Sequence, residues 1–364
     1  MAQSIQQQKQ KQKPQLSLAH KLDLLTGVFA LISAGIAAVF TGLWRSERDA
    51  PTYYLHIAYA VMRKSTERYS AEQLQWALPT TDQVYEQYAR SARLKPQTIE
   101  LGNGAKGHWV GDKNAKNVLI WYHGGGFAMS ANLAHFEFLD NLIIASRASS
   151  KELAVFALTY TLSSDAQYPT QLTQAVEALR YILSQKTHRP GSILLGGDSA
   201  GASLAMGVLS HLAHPHPAIT PVKLSKPLAG AILLALPPST DENIANDVEV
   251  YYGGDIIVPH VALQWLSKYL DNQKPDFYTD PLDAPPGWFE TLPVKKILAS
   301  AGGNEILRPI IEEFVQKVQP VIPSIELFIG KREAHVAPVY NLFVGDKTET
   351  EQGRKIKTWL KDVL

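Results

Sequence analysis

Residues 192–213 read SILLGGDSAGASLAMGVLSHLA. An apolar run, SILLG, is followed at once by Gly197-Asp198-Ser199-Ala200-Gly201 and then by a stretch with the pattern of a helix. The order is strand, tight turn, helix. Glycines two before and two after the serine leave room for a turn sharp enough to lift its hydroxyl to the head of the helix. The flanking sequence continues the alternation. Short apolar runs at 118–122, 153–159, 192–196, 228–236, 296–301 and 325–330 read as strands, and residues 131–150, 170–187, 199–213, 305–319 and 349–363 read as helices. Stretches such as LIWY and AILLAL are apolar on both faces, as parallel strands covered by helices should be. The fold class this predicts is α/β, with a mostly parallel central sheet flanked by helices.

A second glycine-rich turn, His123-Gly124-Gly125-Gly126-Phe127, directly follows the strand VLIWY. Three residues without Cβ allow backbone N–H groups to turn toward a substrate oxygen, and donors fixed there in advance stabilise a developing oxyanion. Gly125 and Gly126, with Ala200, are the expected donors, and His123, Gly124, Gly197 and Gly201 shape the two turns. A serine hydroxyl is a poor nucleophile until a base takes its proton, so Ser199 calls for a histidine held by a carboxylate, in chain order serine, acid, histidine. Of eleven histidines, His20, His56, His108, His123, His135 and His188 precede the serine, and His211, His214 and His216 lie on or just past the helix that follows it. His260 falls in a long inserted segment, which leaves His335, just beyond the last strand. In the turn after the preceding strand, Ala301-Gly302-Gly303-Asn304-Glu305, the only carboxylate is Glu305, while Glu333 and Asp280 are neighbouring alternatives. Asp198, inside the serine turn, reads as a structural carboxylate.

Composition narrows the chemistry. The 364 residues carry 35 Lys+Arg against 34 Asp+Glu, so the strongly basic face of a nucleic-acid binder is not expected. The chain has no cysteine, which removes disulfides, thiolate metal sites and thiol nucleophiles together. The cluster His211-x-x-His214-x-His216 is interrupted by Pro215 and Pro217 and lacks a companion ligand at metal spacing, so it reads as a solvated loop and no metal is expected. No cofactor is implied.

The chain divides into a Gln/Lys-rich tail over 1–15, a hydrophobic helix within 16–50, further helices over 51–104 that contribute to a cap, and the main domain over 105–364 with a cap insertion at about 237–292. Residues 24–44 hold no charge over 21 positions, long enough for a single-pass membrane anchor. Lysines 9, 11, 13 and 21 precede them, which would leave the N-terminus cytosolic and the rest membrane-associated, for instance in the endoplasmic reticulum. The competing expectation is a buried helix of a cytoplasmic protein. Phe127, Tyr252, Trp265 and Trp288 are the expected lining of an apolar substrate pocket, with cap core as the competing reading of the aromatics in the insertion.

With HGGGF, GDSAG, the downstream Glu305 and the final His335 in order, the sequence resembles the α/β-hydrolase fold-3 group, the hormone-sensitive-lipase-like esterases, over about residues 105–364. The N-terminal helices and the Gly303-Asn304-Glu305-Ile306-Leu307-Arg308 form of the acid turn are similar to a fungal branch that includes steryl-acetate deacetylases and tailoring hydrolases of secondary metabolism. The family usually has aspartate where Glu305 stands, and most of its Arg-Leu-Ala-Pro-Glu stretch after Tyr160 is missing here. The resemblance implies a cofactor-free serine esterase or deacetylase acting on a small to medium hydrophobic ester, with Ser199 as nucleophile, His335 as base and Glu305 as its orienting acid. Acyl transfer, cyclisation of a biosynthetic intermediate, or ligand binding without catalysis are the alternatives on the same fold.

Overall fold

The computed structural model describes residues 13–239, 253–271 and 273–364. The apolar runs form β3 (Asn117–Tyr122), β4 (Leu153–Thr159), β5 (Ile193–Asp198), β6 (Gly230–Leu234), β7 (Ile297–Gly302) and β8 (Ile325–Gly330), all parallel. Two short strands, β1 (Thr98–Glu100) and β2 (Lys106–Val110), extend the sheet antiparallel beyond β4, in the order β1-β2-β4-β3-β5-β6-β7-β8. Every residue of β3, β5, β6 and β7 is buried, because helices cover both faces. Side chains alternate between two cores: Val118, Ile120 and Tyr122 enter one, Leu119 and Trp121 the other. The first core lies beneath α6 (Thr170–Ser184), α7 (Ala200–Ala213) and α9 (Arg308–Val318), the second beneath α4 (Thr81–Ser91), α5 (Leu133–Ala148) and α11 (Glu351–Val363).

The edge strands were not expected from the sequence, for a physical reason. β1 is three residues long and mostly exposed, and β2 carries Lys106, Gly107 and His108, so neither shows an apolar run. His108 is nevertheless buried, bonded through Nδ1 to Thr98 Oγ1 at 2.9 Å and through Nε2 to Asp82 Oδ1 at 3.0 Å. A further short helix, α10 (Ala337–Phe343), follows the His335 loop, and the helix expected from 305 starts only at Arg308, leaving Glu305 in the turn before it. Between β6 and β7 the described residues form α8 (Pro259–Leu270) and a single 3₁₀ turn, Pro286–Phe289.

At the N-terminus stand α1 (Leu18–Thr41), α2 (Tyr53–Arg68) and α3 (Ala71–Ala77). Ser17 caps α1 through its hydroxyl, which accepts the His20 N–H, so the helix begins six residues before the uncharged stretch. It packs along α2 yet leaves most of its side chains exposed, so it is not the buried helix of the competing expectation. The tail over 1–12 lies outside the described residues.

The turn between β5 and α7 is held by close backbone approach. A Cβ on Gly201 would lie 1.9 Å from the Tyr122 carbonyl oxygen, and one on Gly197 would lie 2.3 Å from the Gly201 backbone. Neither neighbour is a flexible side chain, so β3, β5 and α7 must separate to admit a methyl group. Gly201→Ala is therefore expected to lower stability by about 1–3 kcal/mol, the usual cost of overpacking a filled core, measured as a fall in the midpoint of urea unfolding.

Candidate active site

Parallel strands present their C-terminal ends along one edge of the sheet, and this places three distant residues together. Ser199 follows β5, Glu305 comes three residues after β7, and His335 comes five after β8. The loop carrying His335 folds back over the end of β7, where Asn304 N–H donates to Glu333 O at 2.9 Å and Gly303 N–H to Gly330 O at 2.6 Å. As a result His335 Nδ1 lies 2.7 Å from Glu305 Oε1, while Glu305 Oε2 accepts the Gly302 N–H at 2.8 Å. Both side chains are almost fully buried. Of the other acids considered from the sequence, Glu333 accepts the Glu351 and Gln352 N–H groups at the start of α11, and Asp280 is buried in the inserted segment.

Ser199 has φ 52° and ψ −124°, a backbone region that costs a non-glycine residue about 1–3 kcal/mol and persists only when the surroundings impose it. Here the imposing contacts are Ser199 N–H to Leu234 O at 2.8 Å and the tight glycine contacts above. Ala200 is the first residue of α7, so its N–H has no acceptor within the helix. Gly125 and Gly126, with φ 104° and 59°, border the same cavity as Ser199, Ala200 and His335, and among the described residues their N–H groups have no backbone acceptor. Three N–H groups without a backbone acceptor among the described residues thus belong to residues that border the same cavity as the serine. Ser199 and His335 border the cavity without a hydrogen bond between Oγ and Nε2, a contact that commonly tightens only in a substrate complex.

Asp198 ties the two glycine turns together. Its Oδ1 accepts the Trp121 indole N–H at 3.0 Å, and its Oδ2 accepts the Gly124 N–H at 3.0 Å and faces His135 Nε2 at 3.2 Å. Burial alone would push this carboxyl up, but the bonds from His135 and Trp121 hold it below the usual range. His123 is buried as well, which lowers its pKa to about 4, and as a neutral ring its Nδ1 lies 2.8 Å from the Gly124 carbonyl, to which it donates. It shapes the turn.

The cavity has a volume of about 930 Å³ and is mainly apolar. Phe127 and Trp265 line it; the Phe127 ring stacks on Tyr269 with centroids 3.7 Å apart. Trp288 is elsewhere: it stacks on His214, donates its indole N–H to Ser210 Oγ at 3.2 Å and packs against Phe277 and Tyr278. It belongs to the packing beneath the inserted segment, because the 3₁₀ turn that carries it docks on α7 rather than on the cavity. Tyr252 lies outside the described residues. The histidine cluster is not a solvated loop either, since His211 is fully buried and its Nδ1 accepts the His216 N–H at 3.1 Å.

One residue that the sequence reading passed over sits at the centre of this arrangement. Asp255 is fully buried; its Oδ1 accepts N–H bonds from Ile256 at 2.7 Å and from His335 at 2.8 Å, and its Oδ2 accepts that of Ile306 at 2.8 Å. Its backbone carbonyl accepts from Arg63 on α2. A single carboxylate therefore fixes the backbone of the histidine and of the residue next to Glu305. The only trace in the sequence was a charge between Gly254 and the apolar Ile256-Ile257-Val258.

A sequence model described as alpha/beta hydrolase fold matches residues 119–338. The chain is 30% identical over 117 residues to steryl acetyl hydrolase 1 of Saccharomyces cerevisiae, covering 31% of this chain and 26% of that protein. It is 36% identical over 95 residues to an acetyl-hydrolase of Streptomyces hygroscopicus, covering 26% and 30%. The chain thus spans less than a third of the length of these curated relatives. Among solved structures, an esterase from the bacterial hormone-sensitive lipase family superposes with a TM-score of 0.62 at 20% identity, over 86% of this chain and 99% of the other.

Burial by itself would lower the His335 pKa, but the Glu305 charge and hydrogen bond outweigh it, and the imidazole is held above its ordinary value. Glu305→Gln removes that charge, so the His335 resonance followed by NMR is expected to titrate at lower pH than in the wild type. Asp255→Ala strands three buried donors at about 1–3 kcal/mol each; we expect a fall of several degrees in the thermal midpoint and a broadened His335 signal.

Proposed function

Because this chain belongs to the alpha/beta hydrolase fold family, we propose that it is a serine carboxylic-ester hydrolase. Ser199 serves as nucleophile, His335 as general base and acid, and Glu305 as the carboxylate that orients the ring and stabilises its charged form. Ser199 Oγ attacks the ester carbonyl carbon while His335 Nε2 takes the hydroxyl proton. The N–H groups of Gly125, Gly126 and Ala200 receive the oxyanion of the tetrahedral intermediate. Collapse breaks the bond to the alcohol, which leaves with the proton from His335, and the acyl group stays on Ser199. Water then attacks the acyl carbonyl, gives its proton to His335, and the acid departs as Ser199 regains its hydrogen.

The observation that carries this reading is the strained, cavity-facing Ser199 beside a buried His335–Glu305 pair and three unengaged backbone donors. For the substrate, two features point the same way. The cavity volume is at the upper end of the range for small-molecule sites, and its lining is mainly apolar. Two of the relatives are named as acetyl hydrolases, one of them a steryl acetyl hydrolase. An ester of a short acyl group with a bulky hydrophobic alcohol, such as a steryl acetate or an acetylated secondary metabolite, suits both features.

The test is hydrolysis of p-nitrophenyl acetate, butyrate and octanoate by the full chain beside Ser199→Ala. We expect turnover that falls at least about a thousandfold in the variant, and labelling of Ser199 alone by a fluorophosphonate. Absence of both turnover and labelling in folded protein would defeat the esterase reading. The kcat/KM profile should lose activity toward acid as His335 becomes protonated, with the limb above the ordinary imidazole value of about 6.5. Glu305→Gln should lower the plateau and move that limb to lower pH, the direction set by loss of the neighbouring negative charge.

A further inference from the structure

From Leu24 to Trp44 the sequence is uncharged, and α1 turns most of this stretch outward. Leu18, Leu22, Leu25, Phe29, Ile32, Ile36, Phe40 and Leu43 are exposed and recur every three or four residues, with Val28, Val39 and Trp44 exposed beside them. Phe29 shows 71% of its surface and Trp44 77%. The opposite side is seated on the domain. Asp23 pairs with Arg68, Tyr69 OH donates to Leu24 O at 3.0 Å, Tyr53 OH donates to Val39 O at 2.7 Å, and Thr41 Oγ1 lies 3.0 Å from His56 Nε2.

These bonds run the whole length of α2 antiparallel to α1, so α1 cannot cross a bilayer without carrying α2 with it. α2 holds Arg63, Lys64, Glu67 and Arg68, and charged side chains at bilayer depth are strongly disfavoured. A coiled-coil partner is also a poor match, because such a seam is flanked by charges that set pairing, and none occurs between residues 24 and 44. A broad uncharged face on a helix held flat against its domain suits the hydrocarbon margin of a membrane. Lys13 and Lys21 sit at its start against Trp76, within reach of anionic headgroups, and Trp44 is exposed at its other end, where amphipathic rings favour the interface.

The same face continues into the cavity. Leu25, Val28, Leu78 and Phe343 are all exposed, and all four also border the cavity that contains Ser199 and His335. We infer that α1 lies in the plane of one leaflet as a monotopic anchor, with the mouth of the site opening onto the bilayer, so that the enzyme draws esters dissolved in the lipid. The choice of substrate rests on the esterase reading; the docking does not.

Flotation of the full chain with vesicles of phosphatidylcholine and phosphatidylserine tests the surface, beside the triple variant Phe29→Asp, Ile32→Asp, Ile36→Asp, whose residues lie outside the cavity. We expect the wild type and Ser199→Ala to float alike and the triple variant to lose at least about tenfold in binding. The triple variant should keep p-nitrophenyl acetate hydrolysis while losing activity on a vesicle-dissolved octanoate ester; equal loss on both, or on neither, overturns delivery from the bilayer. Because the chain has no cysteine, Leu22→Cys, Phe29→Cys, Ile36→Cys and Leu43→Cys can each carry one fluorophore, and quenching by lipids brominated at different depths should place all four equally shallow. A profile deepest at the middle of α1 would establish a spanning helix and overturn the proposal. So would absence of vesicle binding, whether the chain sediments as a monomer or as a dimer that the triple variant dissociates. Failure of ester hydrolysis in the unaltered chain would defeat the esterase reading alone, leaving the flotation and depth results to decide the docking.

Discussion

Buried Asp255 is the point at which four separated parts of this chain are joined. Its carboxylate holds the backbone N–H groups of His335 and Ile306 and closes on its own neighbour Ile256, and its backbone carbonyl accepts from Arg63 of α2. The turns at Ile256, Ile306 and His335 lie outside helices and strands. Three charge-assisted bonds to a fully buried carboxylate are stronger than neutral ones. The distance between Glu305 and His335 depends on that carboxylate, although it touches neither side chain. A second buried carboxylate, Asp198, does the same work at the other end of the site, joining the serine turn to the glycine turn through Gly124 and Trp121. Ser199 and His335 border the cavity, while Asp198 and Asp255 are fully buried and do not line it.

Most of the sheet was legible because parallel strands buried on both faces must be apolar throughout, and such runs stand out in a sequence. β1 and β2 were not, since short edge strands with polar residues have no such requirement. Ser199, Glu305 and His335 were nominated because a tight turn and a strand end impose local patterns, and the structure brings Glu305 against His335 and sets Ser199 and His335 on one cavity. Asp255 could not, because its role comes from contacts between segments far apart in sequence, and a lone aspartate carries no spacing rule. Trp288 and Trp265 show the same limit. Both are aromatic residues in one insertion, yet one packs under it and the other faces the cavity, a distinction made only by how the insertion folds.

The N-terminal segment is not an appendage to the α/β domain. Asn304, next to Glu305, donates its carboxamide N–H to the carbonyls of Glu47 and Asp49, and Arg332 reaches the Ser46 carbonyl. Hydropathy alone identified residues 24–44 as apolar enough for a membrane but offered only two placements, through it or inside the protein. The structure presents a third, in which the helix is seated on one side and bare on the other. What separates these cases is the polar character of α2, a neighbour whose partnership with α1 could not be read from either segment alone.

His335 is reached only after β8 has been added to the edge of the sheet, and the loop that holds it is pinned through Glu333 to the first turn of α11. The serine turn is closed by β3, β5, β6 and α7, whereas the Glu305–His335 pair also needs β7, β8 and the docking of α11. The two halves of the proposed site therefore differ in how much of the chain must be in place before each exists, and loosening α11 would disturb the histidine loop while leaving the serine turn intact.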